Sequence, residues 1–302
     1  MIVDQASWVR LPLATPRLTR STMPDRQTST SVSLYREVYG AGDPILCLHG
    51  LGANLYSWRH FIAPFSQHNK LILVDFKGCG RSPKPLDAHY STEEKVEDIY
   101  RLILEENLTN LTLVGNSLGG AIAMLVAIRL RKQQSDRVSK LILIDSAGDK
   151  GNLPPHLKLL RSPLGTAIIY LAPSKVAALM TLRMCYYERT RITKEQVDAY
   201  ALPFANRGGR HALLHTIRQC IPENAEELIA QISKIDVPTF ILWGREDRVI
   251  PLKVGQLLHQ LIPNSTLEVI ERCGHVPQEE KPDETISRIS RFLTLAPDSL
   301  PT

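Results

Sequence analysis

The feature that most constrains this chain is a series of short apolar runs, each followed closely by Gly, Asp or His. They are Pro44–Leu48 (PILCL), Leu71–Val74 (LILV), Leu111–Val114 (LTLV), Leu141–Ile144 (LILI), Thr239–Trp243 (TFILW) and, less uniform, Thr266–Ile270 (TLEVI). A run that is continuous rather than alternating describes a strand covered on both faces, as in a parallel sheet. Ser31 to Tyr39 alternates and reads as a further strand. Helical stretches separate the runs. In residues 92–106, Val96, Ile99, Leu102 and Ile103 recur at three- and four-residue spacing, with Ser91 or Thr92 placed as cap. Residues 118–131, 251–261 and 282–293 complete the set. This alternation predicts an α/β fold: a doubly wound, mostly parallel sheet of about eight strands with helices on both faces. Ligands in such sheets bind beyond the carboxyl ends of the strands.

Between residues 149 and 235 the alternation stops. Helices are expected around 157–171, 174–187, 194–201 and 210–220, as a lid inserted over the strand ends. The core domain is then 31–148 together with 236–302. Residues 1–30, rich in Pro, Ser, Thr and Arg, read as a flexible arm, with Met1 or Met23 as the native start. The 302 residues, 43% of them hydrophobic, suffice for one sizeable core. A net charge of +5 with no basic run interleaved with aromatics predicts no nucleic-acid partner. No apolar run approaches the roughly 18 residues of a membrane span, and the N-terminus lacks a secretory signal's apolar stretch. Five cysteines without paired spacing suit reduced thiols and a cytoplasmic location. No CxxC or HExxH occurs, so neither metal nor cofactor is expected. A monomer or homodimer is expected.

Chemistry is concentrated at three strand ends. Gly115-Asn116-Ser117-Leu118-Gly119 matches G-x-S-x-G directly after one run and before a helical stretch. There the turn presents the Ser117 hydroxyl on its tip, and small residues at 115 and 119 let strand and helix approach. A serine hydroxyl needs a base. Of nine histidines, only His49 and His275 fall at strand ends, and His275 follows the last strand. His211 and His215, four apart on a lid helix, read as a polar face. The base needs an orienting carboxylate, and Asp247 follows the penultimate strand in the chain order Ser…Asp…His. Asp145, at another strand end, competes for that role.

Taken in order, His49-Gly50-Leu51-Gly52, the stretch Asp75 to Ser82, the serine turn, Gly244-Arg245-Glu246-Asp247 and Cys273-Gly274-His275 resemble the α/β-hydrolase superfamily. The resemblance covers roughly residues 33–295. It implies an oxyanion hole formed by the backbone N–H groups of Leu51 and Leu118, with Gly50 in the loop that carries the first. Relatives of this fold that open epoxides or remove halogens would carry Asp at position 117, so serine implies an acyl-enzyme route. The expected activity is that of a carboxylesterase-like serine hydrolase. Its substrate would be a small-molecule ester or related acyl compound, short to medium in acyl chain or aromatic. Hydrolases that cleave carbon–carbon bonds in aromatic ring-fission products share most of these motifs. They typically carry Trp after the catalytic His, where this chain has Val276, and a lid Arg where it has Tyr200; Arg207 or Arg210 could substitute. A receptor-like binding protein on a hydrolase scaffold is the alternative of another class.

Overall fold

The computed structural model describes residues 32–149, 155–222 and 224–294. The expected N-terminal arm and the choice between Met1 and Met23 lie outside the described residues. Among those residues, seven strands form one sheet: β1 (Arg36–Tyr39), β2 (Asp43–Leu48), β3 (Asn69–Val74), β4 (Leu111–Asn116), β5 (Val138–Ile144), β6 (Thr239–Gly244) and β7 (Ser265–Ile270). Their spatial order is β1-β3-β2-β4-β5-β6-β7. β1 runs antiparallel to β3, and every other pair is parallel. The mostly parallel, doubly wound sheet is therefore as expected, with seven described strands against about eight.

Helices cover both faces, and the alternation of side chains along the strands divides the core in two. Leu46, Leu48, Leu113, Leu141, Leu143 and Trp243 face one layer, with α2 (Thr92–Glu105), α3 (Leu118–Lys132) and α10 (Leu252–Leu261) packed there. Ile45, Cys47, Val114, Ile142, Ile144 and Leu242 face the other. There they meet Trp58 and Phe61 of the 3₁₀ turn Leu55–Phe61, Phe65 of α1 (Ile62–Phe65), and Phe292 of α12 (Pro282–Thr294). Ser91 is the cap of α2, in a reciprocal box with Glu94. The short α11 (Pro277–Glu280) precedes α12.

The connection from β5 to β6 holds α4 (Pro155–Arg161), α5 (Pro163–Leu171), α6 (Ser174–Cys185), α7 (Lys194–Ala201), α8 (Arg207–Gln219) and α9 (Ala225–Ala230), with no strand among its described residues. α9 was not among the expected helices, α6 ends two residues early, and two further departures have a local cause. The helix expected over 157–171 is broken: Pro163 has no N–H for a continuing ladder, and the Ser162 hydroxyl caps the new helix at the Gly165 amide, 3.1 Å away. The last helix expected to start at Arg210 starts at Arg207. Asn206 Oδ1 accepts from the Gly209 N–H at 2.9 Å, a cap that offsets the weak propensity of Gly208 and Gly209.

A buried polar network ties this insertion to the core. Arg59 pairs with Glu279 at 2.6 Å, and Glu279 also accepts from Tyr200 and Gln196 of α7. Tyr200, the residue set against a lid arginine in the sequence, is thus a buried structural partner of α11.

β2 is flanked by β3 on one side and β4 on the other. The direction of winding reverses between them, and the crevice beyond their carboxyl ends is the expected ligand site. The His49–Gly52 loop and Ser117 lie at those two ends.

Candidate active site

Ser117 sits between β4 and α3 with φ of 56°. A left-handed backbone is costly for a residue with a side chain, and such strain persists only where the surroundings enforce it. Here they do. The Ser117 N–H donates to Ile144 O at 3.1 Å, and its carbonyl accepts from Ala147 and Gly120, both at 3.0 Å. The flanking glycines admit no side chain: a Cβ on Gly115 would lie 2.3 Å from Gly119 O, and one on Gly119 would lie 2.1 Å from Leu48 O. Strand and helix therefore approach at a distance that only glycine permits.

The loop after β2 comes directly against this turn, since a Cβ on Gly50 would lie 3.2 Å from Ser117 Cβ. Leu51, Ser117, Leu118 and His275 all border one cavity. Leu118 is the first residue of α3, so its N–H has no partner within the helix. The Leu51 amide likewise makes no hydrogen bond among the described residues.

Asp247 and His275 are joined. Asp247 Oδ2 lies 2.7 Å from His275 Nδ1, and both side chains are buried. Asp247 Oδ1 accepts from the amides of Val249 (2.7 Å) and Ile250 (3.0 Å), which fixes the carboxylate's orientation. Asp247 does not cap α10, whose N-terminal position has no side-chain cap. The Ser117 hydroxyl makes no hydrogen bond to a described residue. Contacts of this kind are often loose in an unliganded site and tighten when substrate is bound.

Asp145 stands beside this pair. Oxygens of Asp145 and Asp247 and a ring nitrogen of His275 lie within 4.8 Å of one another. Asp145 has φ of 44°, accepts the Gly244 N–H on Oδ1 at 3.0 Å, and faces no hydrogen-bond partner at the required geometry on Oδ2. Complete burial, then the neighbouring Asp247 carboxylate, push its carboxyl well above the usual range. A protonated Asp145 is a poor cation ligand, and both Asp247 oxygens are already engaged.

The His275 loop is held from three sides by groups that sequence reasoning had not assigned. Asn116 Nδ2 donates to His275 O at 3.0 Å and to Ile144 O at 3.1 Å, joining the serine turn to the histidine loop. The His275 N–H donates to Cys185 O at the end of α6, 2.7 Å away. Glu280, fully buried, accepts from the amides of Gly274 (2.7 Å), Glu188 (2.6 Å) and Tyr187 (3.2 Å). Glu246, next to Asp247 in the chain, accepts the Cys273 N–H at 2.9 Å. Nothing in the local sequence singles out Glu280, which lies five residues past His275 in the polar stretch Gln278-Glu279-Glu280-Lys281.

The cavity has a volume of about 440 Å³ and mostly apolar walls, formed by α3, by helices of the insertion and by Val249 to Pro251. Arg210 is the one Lys or Arg on that wall among the described residues. Its guanidinium is spent on the carbonyls of Phe204 (2.8 Å), Ile169 and Tyr170 (both 2.7 Å). Arg207 does not border the cavity. His211 and His215 stack on each other at 4.3 Å outside it, with His211 Nε2 at Asp87 O. His49 is buried against Phe76 and accepts that residue's amide on Nε2 at 3.2 Å, a structural role. Asp75 accepts the amides of Leu55 and Arg81, both at 2.7 Å, and so holds the turn that follows β3.

Comparison with known proteins agrees with this architecture. The model of the alpha/beta hydrolase family matches residues 45–288. The chain is 30% identical over 260 residues to a 2-hydroxy-6-oxo-2,4-heptadienoate hydrolase of Pseudomonas putida, covering 84% of this chain and 90% of that protein. It is 27% identical over 271 residues to lipase 1 of Psychrobacter immobilis, covering 84% and 78%. Among solved structures, a meta-cleavage product hydrolase of Pseudomonas fluorescens superposes with a TM-score of 0.73 at 26% identity, covering 87% and 94%.

Proposed function

The chain belongs to the alpha/beta hydrolase family, and from that premise we propose that it is a serine hydrolase that cleaves carboxylic esters through an acyl-enzyme on Ser117. One observation carries the reading: a buried 2.7 Å Asp247–His275 pair borders the same cavity as a serine held in a strained left-handed turn. Ser117 Oγ attacks the ester carbonyl while His275 Nε2 takes its proton. The resulting imidazolium is stabilised by Asp247 across Nδ1. The amides of Leu51 and Leu118 receive the developing oxyanion, each worth about 3 kcal/mol in the barrier. His275 then protonates the leaving alcohol, and water, activated by the same imidazole, releases the acid. The helical insertion acts as a cap that supplies the apolar walls. The five free cysteines fit a cytoplasmic location.

The walls favour a neutral ester over a ring-fission product. A dienoate brings a carboxylate that needs a cationic partner, and Arg210, the one candidate on the wall, is already bonded to three backbone carbonyls. The test is a panel of p-nitrophenyl esters from acetate to decanoate beside a ring-fission dienoate, run with wild type and Ser117→Ala. Ester turnover that the alanine variant loses is expected. Faster cleavage of the dienoate would replace this reading with carbon–carbon hydrolysis. Tight ligand binding without turnover would replace it with a receptor.

A further inference from the structure

The insertion exposes aliphatic side chains beyond those that line the cavity. On α5, Leu164, Ile168 and Leu171 are exposed at helical spacing, Leu171 at 80%. On α6, Val176 and Met180 are exposed four residues apart. Large aliphatic side chains concentrated on two consecutive helices mark an interaction site more often than an idle surface. Ile168 and Met180 are both exposed and part of the cavity wall, so this surface includes the cavity's rim.

Charge points to the partner. Residues 155–185 contain Lys158, Arg161, Lys175 and Arg183 and no Asp or Glu. At the chain's frequency of 31 acidic residues in 302, about three would fall in a stretch of this length. All four cations are exposed. Lys175 pairs with Asp198 of α7 at 2.6 Å, and Arg161 bonds the Arg218 carbonyl, while Lys158 and Arg183 make no ion pair among the described residues. No single described helix is long and apolar enough to cross a membrane; α5 and α6 together reach that length and composition but are bent by 116°. Exposed aliphatic side chains on α5 and α6 therefore occur together with exposed cations on α4 and α6, the chemistry of an element lying in the headgroup region.

We propose that α5 and α6 form a docking surface for an anionic lipid bilayer, with Leu164, Leu171 and Val176 entering the interface and the cations meeting lipid phosphates. Docking there sets the cavity rim against the source of apolar substrates. A second copy of the chain is a poorer occupant, because a two-fold contact would bring the unpaired cations of this surface, Lys158 and Arg183, toward their like-charged copies.

The experiment is co-sedimentation of the full chain with vesicles of phosphatidylcholine alone and with phosphatidylglycerol added. Wild type is expected to bind the anionic vesicles at least tenfold more strongly. Leu164→Asp/Leu171→Asp should lose more than tenfold, and Lys158→Glu/Arg183→Glu should lose a similar factor. Salt at about 1 M, where the Debye length is about 3 Å, should weaken binding. None of these four residues borders the cavity, so hydrolysis of a soluble ester should stay at the wild-type rate in both variants. Docking does not depend on the proposed chemistry: Ser117→Ala should bind vesicles normally, and an enzyme that binds vesicles but hydrolyses no ester would sink only the functional proposal. Equal vesicle binding by wild type and variants would overturn the docking surface. So would absent vesicle binding, whether the chain stays monomeric or sediments as a dimer that the aspartate variant dissociates.

Discussion

Replacing Asp145 by asparagine separates the two carboxyls that compete to orient His275. In the folded protein, burial and the Asp247 charge keep Asp145 protonated far above the ordinary carboxylate range. In the unfolded chain it ionises near its ordinary pKa of about 3.9. Between these two values the unfolded state has released one proton that the folded state retains. The linkage slope for this group is therefore negative between the two pKa values, and this group's contribution to stability falls as pH rises from about 4 to the folded-state value. Asparagine is nearly isosteric, keeps an acceptor for the Gly244 amide, and does not titrate. The unfolding free energy of Asp145→Asn should therefore rise relative to wild type as pH increases above about 4, until the folded-state carboxyl itself ionises. Urea unfolding at several pH values reads this directly. Parallel curves for the two proteins would refute the claim that Asp145 is buried as a neutral acid. Activity gives the second arm. Asp145→Asn leaves the Asp247–His275 contact in place and should cost less than about tenfold in kcat. Asp247→Asn forces the wrong imidazole tautomer and should cost about 10⁴-fold. The reverse ranking would move the acid to Asp145.

Other substitutions probe the scaffold of the site. Gly119→Ala places a methyl 2.1 Å from Leu48 O. Thermal melting should show it unfolding well below wild type, and an unchanged midpoint would mean that strand and helix can separate. Glu280→Ala leaves three amides without their acceptor, at about 1–3 kcal/mol each. It should lower both the melting midpoint and kcat, because Gly274 precedes the base; Glu280→Gln, which keeps an acceptor oxygen, should recover part of each, and an unaffected kcat in Glu280→Ala would dissociate Glu280 from the base.

The parts of the fold that were legible in the sequence are those where local pattern and burial coincide. The apolar runs are strands because both faces are covered, and G-x-S-x-G marked the turn because strand and helix meet there at glycine distance. The juxtaposition of His275 and Asp247 was legible from their positions after β7 and β6. What could not be read arises from long-range packing. The break at Ser162–Pro163 depended on a cap competing with an otherwise apolar helical pattern. The proximity of Asp145 to Asp247 follows from β5 and β6 being neighbours in the sheet, which no residue of either strand announces. The links from Asn116, Cys185 and Glu280 to the His275 loop join segments as much as 159 residues apart, and nothing in their local sequence distinguishes them from ordinary polar or apolar positions. Arg210 was one of two basic residues named as a substrate anchor; only its three carbonyl partners redirect it to a structural role.

The proposed chemistry requires Ser117 to be the nucleophile. Treating the protein with diethyl p-nitrophenyl phosphate and mapping the adduct by peptide mass spectrometry tests this in one measurement. A single diethylphosphoryl group on Ser117, formed in step with loss of esterase activity and absent from His275→Ala, is the predicted result. Loss of activity with the label on another residue, or an unlabelled Ser117 in an inactivated protein, would contradict it.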